Sequence, residues 1–240
     1  MNVRPVLLSL LMCGVFGACT DSQPEPEQTL MVIAPQDFVL MPCGPARADR
    51  PCALVIAGGK RVLFGAPAGV SATLSPEDLR QLDAVIVFSL RAPDIEGLDE
   101  VRNASWQAGR DAPLLTIGPR GVLDTVAALN KAYEQADALR IVEQGIPPGG
   151  YDAAILLGRD AVGVATVFDT GDVRIEPAGK GYRVHYNREA VLDLQPCGAA
   201  DASAPDLIDK SYVRVGCEGA ASDLVWPVQQ PRFIARRSIP

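Results

Sequence analysis

Apolar positions come in short blocks separated by turn-forming residues along most of the chain, a spacing that predicts many brief strands and few helices. Residues 30–33 and 38–41 read as two strands around a turn at Pro35-Gln36-Asp37. Residues 52–57 and 62–64 flank Gly58-Gly59-Lys60-Arg61 and predict a hairpin whose glycine pair supplies the left-handed turn geometry. Ser75-Pro76-Glu77-Asp78 has the composition of a helix start: a capping hydroxyl, a proline in the first turn, and acids facing the amide end of the dipole. The run 83–88 that follows is almost wholly apolar and reads as a strand buried on both faces. Residues 112–117 predict another strand and Gly118-Pro119-Arg120-Gly121 a turn. Residues 122–135 then predict a helix with Val122, Val126, Leu129 and Tyr133 at helical spacing.

Beyond this helix the pattern changes. Residues 153–157, 163–168, 173–176, 181–186 and 190–194 predict short meander strands parted by Gly, Asp, Asn or Pro. The extended segments 225–228 and 232–235 are expected to pack across a sheet edge, with Trp106 and Trp226 at the core margin or an edge. Strand-turn-helix units between two β-rich parts predict one α/β sandwich over residues 29–240, since two Rossmann-like halves would need far more helix.

The start of the chain has a different logic. Arg4 precedes an apolar run ending in Gly17-Ala18-Cys19, so residues 1–18 read as a signal peptide, too short to span a bilayer permanently. Small residues before a cysteine resemble the lipobox of bacterial lipoproteins, which implies acylation (palmitate-type chains) at Cys19. Ordinary cleavage near Ala18 is the alternative. Residues 19–28 form a polar, proline-rich tether with nothing apolar to bury. Thr20 rather than an aspartate follows Cys19, and by the same resemblance this favours the periplasmic side of the outer membrane over inner-membrane retention.

Export sorts the six cysteines. Cys13 leaves with the signal and Cys19 carries lipid. The remaining four allow three pairings, of which the local ones, Cys43–Cys52 and Cys197–Cys217, are expected in an oxidising compartment. No close Cys-x-x-Cys spacing suggests zinc. The formal net charge of −7 becomes one unit more negative when Arg4 departs, which argues against a nucleic-acid partner. Arg232, Arg236 and Arg237 are too few and too terminal to form a recognition stripe. The glycine-rich turns 58–59, 149–150 and 179–181 match neither a phosphate loop nor a dinucleotide fingerprint.

Three stretches together resemble the metallo-β-lactamase superfamily, in its ribonuclease Z and arylsulfatase-like branch. Residues 61–69 resemble the hairpin ending in a Leu-Phe-Asp-x-Gly turn, with Gly65 at the acidic position. Residues 75–87 resemble the helix and strand leading to the metal motif, and residues 181–192 the late hairpin before the bridging aspartate. The resemblance implies an αββα sandwich and a His-x-His-x-Asp-His motif binding two metals that activate a bridging water. Here the matching segment is Ser89-Leu90-Arg91-Ala92-Pro93-Asp94. Ser89 and Arg91 stand for two histidines, Pro93 for the aspartate and Asp94 for the last histidine. Arginine is a fixed cation without an acceptor, and proline has no side-chain donor atom. Gln195-Pro196-Cys197 follows the late strand where the bridging carboxylate is expected, and His185 is the one histidine of the chain. Asp94, Asp169, Asp172, Asp193 and Asp206 lack the spacing of a carboxylate cage. No cofactor or metal is therefore expected.

Arg91 and Asp94 are expected to form a salt bridge filling the volume of the missing metals, or else to line a small anion-binding cleft. The reading that follows is an exported lipoprotein whose degenerate domain serves as a binding or accessory module for an envelope protein or small ligand. The alternative is an atypical ester or phosphoester hydrolase with Ser89 as nucleophile, His185 as base and Asp94 or Asp169 orienting it, although Ser89 lacks a Gly-x-Ser-x-Gly elbow.

Overall fold

A computed structural model describes residues 33–43, 51–187, 190–196, 211–215 and 233–235. The signal, the acylation site at Cys19, the tether, and Cys197 with Cys217 lie outside the described residues.

Strands β1 (Phe38–Pro42), β2 (Ala53–Ala57) and β3 (Lys60–Phe64) run antiparallel to one another, β2 and β3 joined by the expected hairpin turn. Gly58 and Gly59 occupy it at φ +55° and +74°, the left-handed pair that matches the twist of flanking strands. Strands β4 (Leu82–Ile86), β5 (Leu114–Gly118) and β6 (Leu156–Asp160) then add in parallel beside β3. A parallel neighbour needs a crossover, and helices supply each one. Helix α1 (Pro76–Arg80) joins β3 to β4, α2 (Ala92–Ile95) and α3 (Leu98–Gln107) join β4 to β5, and α4 (Val122–Gln144) lies between β5 and β6.

The second sheet is the predicted meander: β7 (Phe168–Asp169), β8 (Val173–Ala178), β9 (Gly181–Tyr186) and β10 (Ala190–Pro196) are consecutive antiparallel neighbours, and β11 (Ser211–Val215) pairs parallel to β10. Strand β12 (Phe233–Ala235) returns to the first sheet and pairs parallel to β1, so the closing segment does take a sheet edge.

Side-chain alternation decides how the layers stack. Leu40, Val55, Val62, Phe64, Ala84 and Ile86 point from the large sheet into one core shared with Ile175, Tyr182, Val184, Leu192 and Leu194 of the small one. Their neighbours Val39, Leu54, Ile56, Leu63, Val85 and Val87 point the other way, into a core completed by Leu79, Leu98, Val101, Val122 and Val126 of the helices. The fold is thus a mixed α/β sandwich with helices outside the large sheet, as the sequence pattern implied. Among the described residues no helix covers the outer face of the small sheet, which carries Arg174, Glu176, Arg183 and His185 instead.

Three expectations need correction. Helix α4 does not stop at residue 135 but runs to Gln144, because no breaker intervenes before Gly145 at φ +86° and Pro147-Pro148. Its late apolar residues Leu139 and Val142 are exposed, while the buried face continues past residue 135 through Asp137 to the partly buried Ile141. Residues 152–154 form a 3₁₀ turn ahead of β6, and of the expected strand 163–168 only Phe168 lies in a strand, β7. Trp106 is fully buried rather than marginal, its indole N–H donating to Gly150 O at 3.2 Å.

Helices α3 and α4 are locked by Arg102, which is wholly buried. One guanidinium nitrogen donates to Asp137 Oδ1 at 3.1 Å, a second meets the other carboxylate oxygen, and the plane lies 5.1 Å from the Tyr133 ring centre. Breaking such a pair strands a charge in the interior. Arg102→Ala is expected to lower the unfolding free energy by about 3–5 kcal/mol, read as a shifted denaturant midpoint, while the double variant Arg102→Met with Asp137→Leu should lose much less.

Candidate functional site

Strands β3, β4 and β5 are parallel, so the loops leaving their carboxyl ends gather along one edge of the large sheet, the edge where open α/β sheets place ligands. These loops carry Gly65 after β3, residues 87–91 after β4 and Gly118 to Gly121 after β5. Backbone bonds knit them: Gly65 N donates to Ile86 O at 2.8 Å, Ala66 N to Asp94 O at 2.8 Å, Gly97 N to Ala66 O at 2.8 Å, and Val87 N to Ile117 O at 2.8 Å. The segment matching the metal motif therefore sits at the carboxyl edge, held on both sides.

Within it, Ser89 Oγ donates to Asp94 Oδ2 and accepts the backbone N–H of Arg91 at 3.1 Å. Asp94 N donates to Arg91 O at 2.9 Å, closing the turn that starts α2. Asp94 is buried, and that desolvation pushes its carboxyl pKa up, partly offset by the Ser89 hydrogen bond and the Arg91 charge. Arg91 itself is exposed. Among the described residues no ion pair joins Arg91 to Asp94, so the expected salt bridge is replaced by a hydroxyl–carboxylate bond. The reason is placement: Arg91 is the helix-capping position, with its side chain free to enter water, whereas Asp94 turns inward. Pro93 occupies the second turn position and offers only shape.

Gly65 shows why the acidic position of the hairpin turn is empty. Its φ is +77°, and a Cβ built there would lie 1.9 Å from Pro51 O. Any side chain, a carboxylate included, would collide with backbone. Behind the loop the space between the sheets is filled by rings: Phe88 lies 6.3 Å from Phe64 and 5.9 Å from Tyr182, centre to centre. The Tyr182 phenol donates to Val87 O at 3.2 Å, and burial pushes its pKa up to about 12.

The remaining candidates lie elsewhere. His185 alternates with Val184 and Tyr186, whose side chains enter the inter-sheet core, so its ring faces outward, 3.1 Å from Glu176 Oε2. The structure brings Ser89 to Asp94 but not His185 to either, and the expected triad is not assembled. Asp169 accepts from Gly171 N at 2.8 Å in its own turn, and Asp193 is paired with Arg183. Asp206 lies outside the described residues. Gln195, next in chain to the expected carboxylate position, donates to Ala178 O at 2.7 Å. Among the described residues no three His, Cys, Asp or Glu side chains converge to hold a metal. The donor set at Ser89, Arg91, Pro93 and Asp94 does not fit a dinuclear centre. Cys43 and Cys52 are disulfide-bonded, Cα atoms 5.3 Å apart, tying the start of β2 to the end of β1.

No family model matches the chain. It is 33% identical over 175 residues to a Ribonuclease Z of Mycobacterium marinum, an alignment covering 67% of this chain and 62% of that protein. The chain thus spans less than two thirds of its relative's length. Among solved structures it is similar to the metallo-β-lactamase fold protein YhfI of Bacillus subtilis, at 16% identity over 65% of this chain and 61% of that one, TM-score 0.43. It is also similar to the short form of human tRNase Z, at 12% identity over 65% and 67%, TM-score 0.43. Over that stretch the chain is a homologue of ribonuclease Z, and its described residues form a mixed α/β sandwich.

The raised pKa of Asp94 has a definite consequence for stability. A carboxyl that is harder to ionise in the folded state contributes fully below its unfolded pKa, and loses that contribution as pH rises through the folded value. Asp94→Asn keeps an acceptor for Ser89 without the charge. Its melting temperature should match the parent below the ordinary carboxyl range, rise above it as pH passes through the folded value of Asp94, and keep a constant lead beyond that; a parent that becomes the more stable of the two on raising the pH would contradict the burial argument.

Proposed function

We propose that this ribonuclease Z homologue is a lipid-anchored envelope protein whose hydrolase-like domain binds a partner or small ligand and does not itself carry out metal-dependent hydrolysis. The observation that carries the reading is the chemistry at the carboxyl edge. Where a metallohydrolase of this type needs ligands, this chain holds a serine bonded to a buried carboxyl that resists ionisation, a solvent-facing arginine and a proline. Arg91 adds a fixed positive charge and no lone pair, so a divalent cation brought there gains repulsion without a bond. Gly65 closes the other route, because backbone stands where a carboxylate would have to go. The rival hydrolase built on Ser89, Asp94 and His185 loses its base, since His185 is engaged with Glu176 on the outer face of the small sheet.

The envelope part of the reading rests on residues 1–28. Acylation at Cys19 would anchor the chain, and the polar tether would let the domain stand off the bilayer. Among the described residues no helix is long and apolar enough to cross a membrane. The proposed location is the periplasmic side of the outer membrane, with the net negative charge disfavouring nucleic acid as partner.

Two experiments bear on this. Full-length protein equilibrated with zinc or manganese and then desalted should retain far less than one metal per chain, and Arg91→His should not raise that ratio; two metals per chain, with phosphodiester hydrolysis that falls when they are chelated, would overturn the non-catalytic reading. Cys19→Ala should move the protein from the membrane fraction to the soluble fraction, and a mature chain carrying an unacylated Cys19 would refute the anchor.

A further inference from the structure

A cleft of about 380 Å³ opens at the opposite edge of the large sheet, beside the amino ends of β4 and β5. Arg80 and Asp83 come to it from the junction of α1 and β4, and Gly109 to Pro113 from the link between α3 and β5. No sequence motif marks it, because its two sides are separated by all of α2 and α3.

Arg110 lines this cleft while only 3% exposed. Its Nε donates to Ser105 Oγ at 3.1 Å and one terminal nitrogen donates to Ala112 O, but Nη2 is buried with no partner. Among the described residues no carboxylate lies within ion-pairing distance of this guanidinium, and Arg102, whose charge acts on it, is already matched by Asp137. A buried guanidinium with a vacant donor, and with its nearest acting carboxylate, Asp111, beyond ion-pairing distance, is costly unless something supplies the acceptor. Burial lowers its pKa only to about 10, so the charge persists at neutral pH.

Arg80 reinforces it. Its side-chain stem passes within 4 Å of where a Cβ on Gly109 would stand, which brings it beside the residue that precedes Arg110. Arg80 is about half exposed and held by Glu77 at 2.7 Å, a surface pair that a better-placed anion can exchange at small cost. The acidic wall residue Asp83 is already satisfied by Lys60 Nζ at 2.9 Å and Arg61 N at 2.8 Å, which leaves its charge largely compensated. Asp111, the other acid of the lining, is exposed to water, and its charge acts on both Arg110 and Arg80.

We infer that this cleft is a binding site for a small oxyanion, a carboxylate or phosphate group held between the buried Arg110 and the more exposed Arg80. With Nε and one terminal nitrogen of Arg110 engaged, its Nη2 can give a single hydrogen bond to one oxygen of such a group, and Arg80 can reach a second oxygen on leaving Glu77. The site is independent of the carboxyl-edge loops, and its success or failure leaves the reading of Ser89–Asp94 untouched.

The full chain is titrated with inorganic phosphate and, separately, with acetate, against sodium chloride at equal ionic strength, following the backbone amide resonances of Gly109, Asp111 and Ala112. Saturable shifts with at least one oxyanion beyond those in chloride are expected. Arg80→Ala, a surface change, should weaken the apparent affinity by about fivefold, and Arg110→Gln should abolish saturation in protein whose circular dichroism is unchanged. Saturation by phosphate alone assigns a phosphoryl ligand and saturation by acetate alone a carboxylate, whereas response to both leaves charge and shape as the shared determinant. Shifts no larger than those in chloride, or an affinity indifferent to Arg80→Ala, would overturn the site.

Discussion

Ala66 is held through both of its backbone polar groups, and the geometry of the carboxyl edge depends on that clasp. Its N–H donates to Asp94 O and its carbonyl accepts from Gly97 N, each at 2.8 Å, so the loop after β3 is stitched to the carboxyl end of the short helix that follows β4. Two glycines permit the close approach. A Cβ on Gly65 would meet Pro51 O at 1.9 Å, and one on Gly97 would meet Pro67 O at 2.1 Å. With these contacts made, Asp94 has little choice but to face inward, Ser89 becomes its partner, and Arg91 is left at the solvent side of the turn. The pattern of donors at this edge is thus a product of backbone packing as much as of residue replacement.

Strands were legible wherever period-two alternation met a clear turn signal. The Gly58-Gly59 hairpin, the buried run of β4, and β9 over residues 181–186 all follow from local pattern, because one residue's slip would turn an entire apolar face to water. Helix length was less legible. The stripe of Val122 and Val126 marks where α4 begins to pack, but its continuation runs through Asp137, buried against Arg102, and Ile141, packed on the Trp106 cluster, and a buried aspartate carries no hydrophobic period. Helix α3 was missed because its buried face mixes Arg102 and Ser105 with Val101 and Trp106, and a buried arginine is invisible to any hydrophobic period.

The candidate site was legible in composition and not in contacts. That Arg91 and Pro93 cannot be ligands follows from their chemistry, and no fold alters it. Which group would satisfy Asp94 could not be read, since Ser89 and Arg91 are nearly equidistant in sequence and only the turn direction separates them. His185 illustrates the same limit from the other side: parity within β9 already puts it opposite Val184 and Tyr186, but which face looks outward depends on the second sheet finding the first. Arg110 is the extreme case, because Ser105, Ala112 and the residues of the facing wall acquire meaning only after α3 has docked.

The pairing of β12 with β1 bears on the order in which the chain can assemble. Phe38 lies opposite Phe233, so one border of the seven-stranded sheet joins segments far apart in the sequence. During synthesis β1 can join β2 at once, but its other side presents unpaired amides and carbonyls until β12 has emerged. That side of β1 is where a nascent molecule is most open to pairing with another strand, and β12 is the segment that closes it.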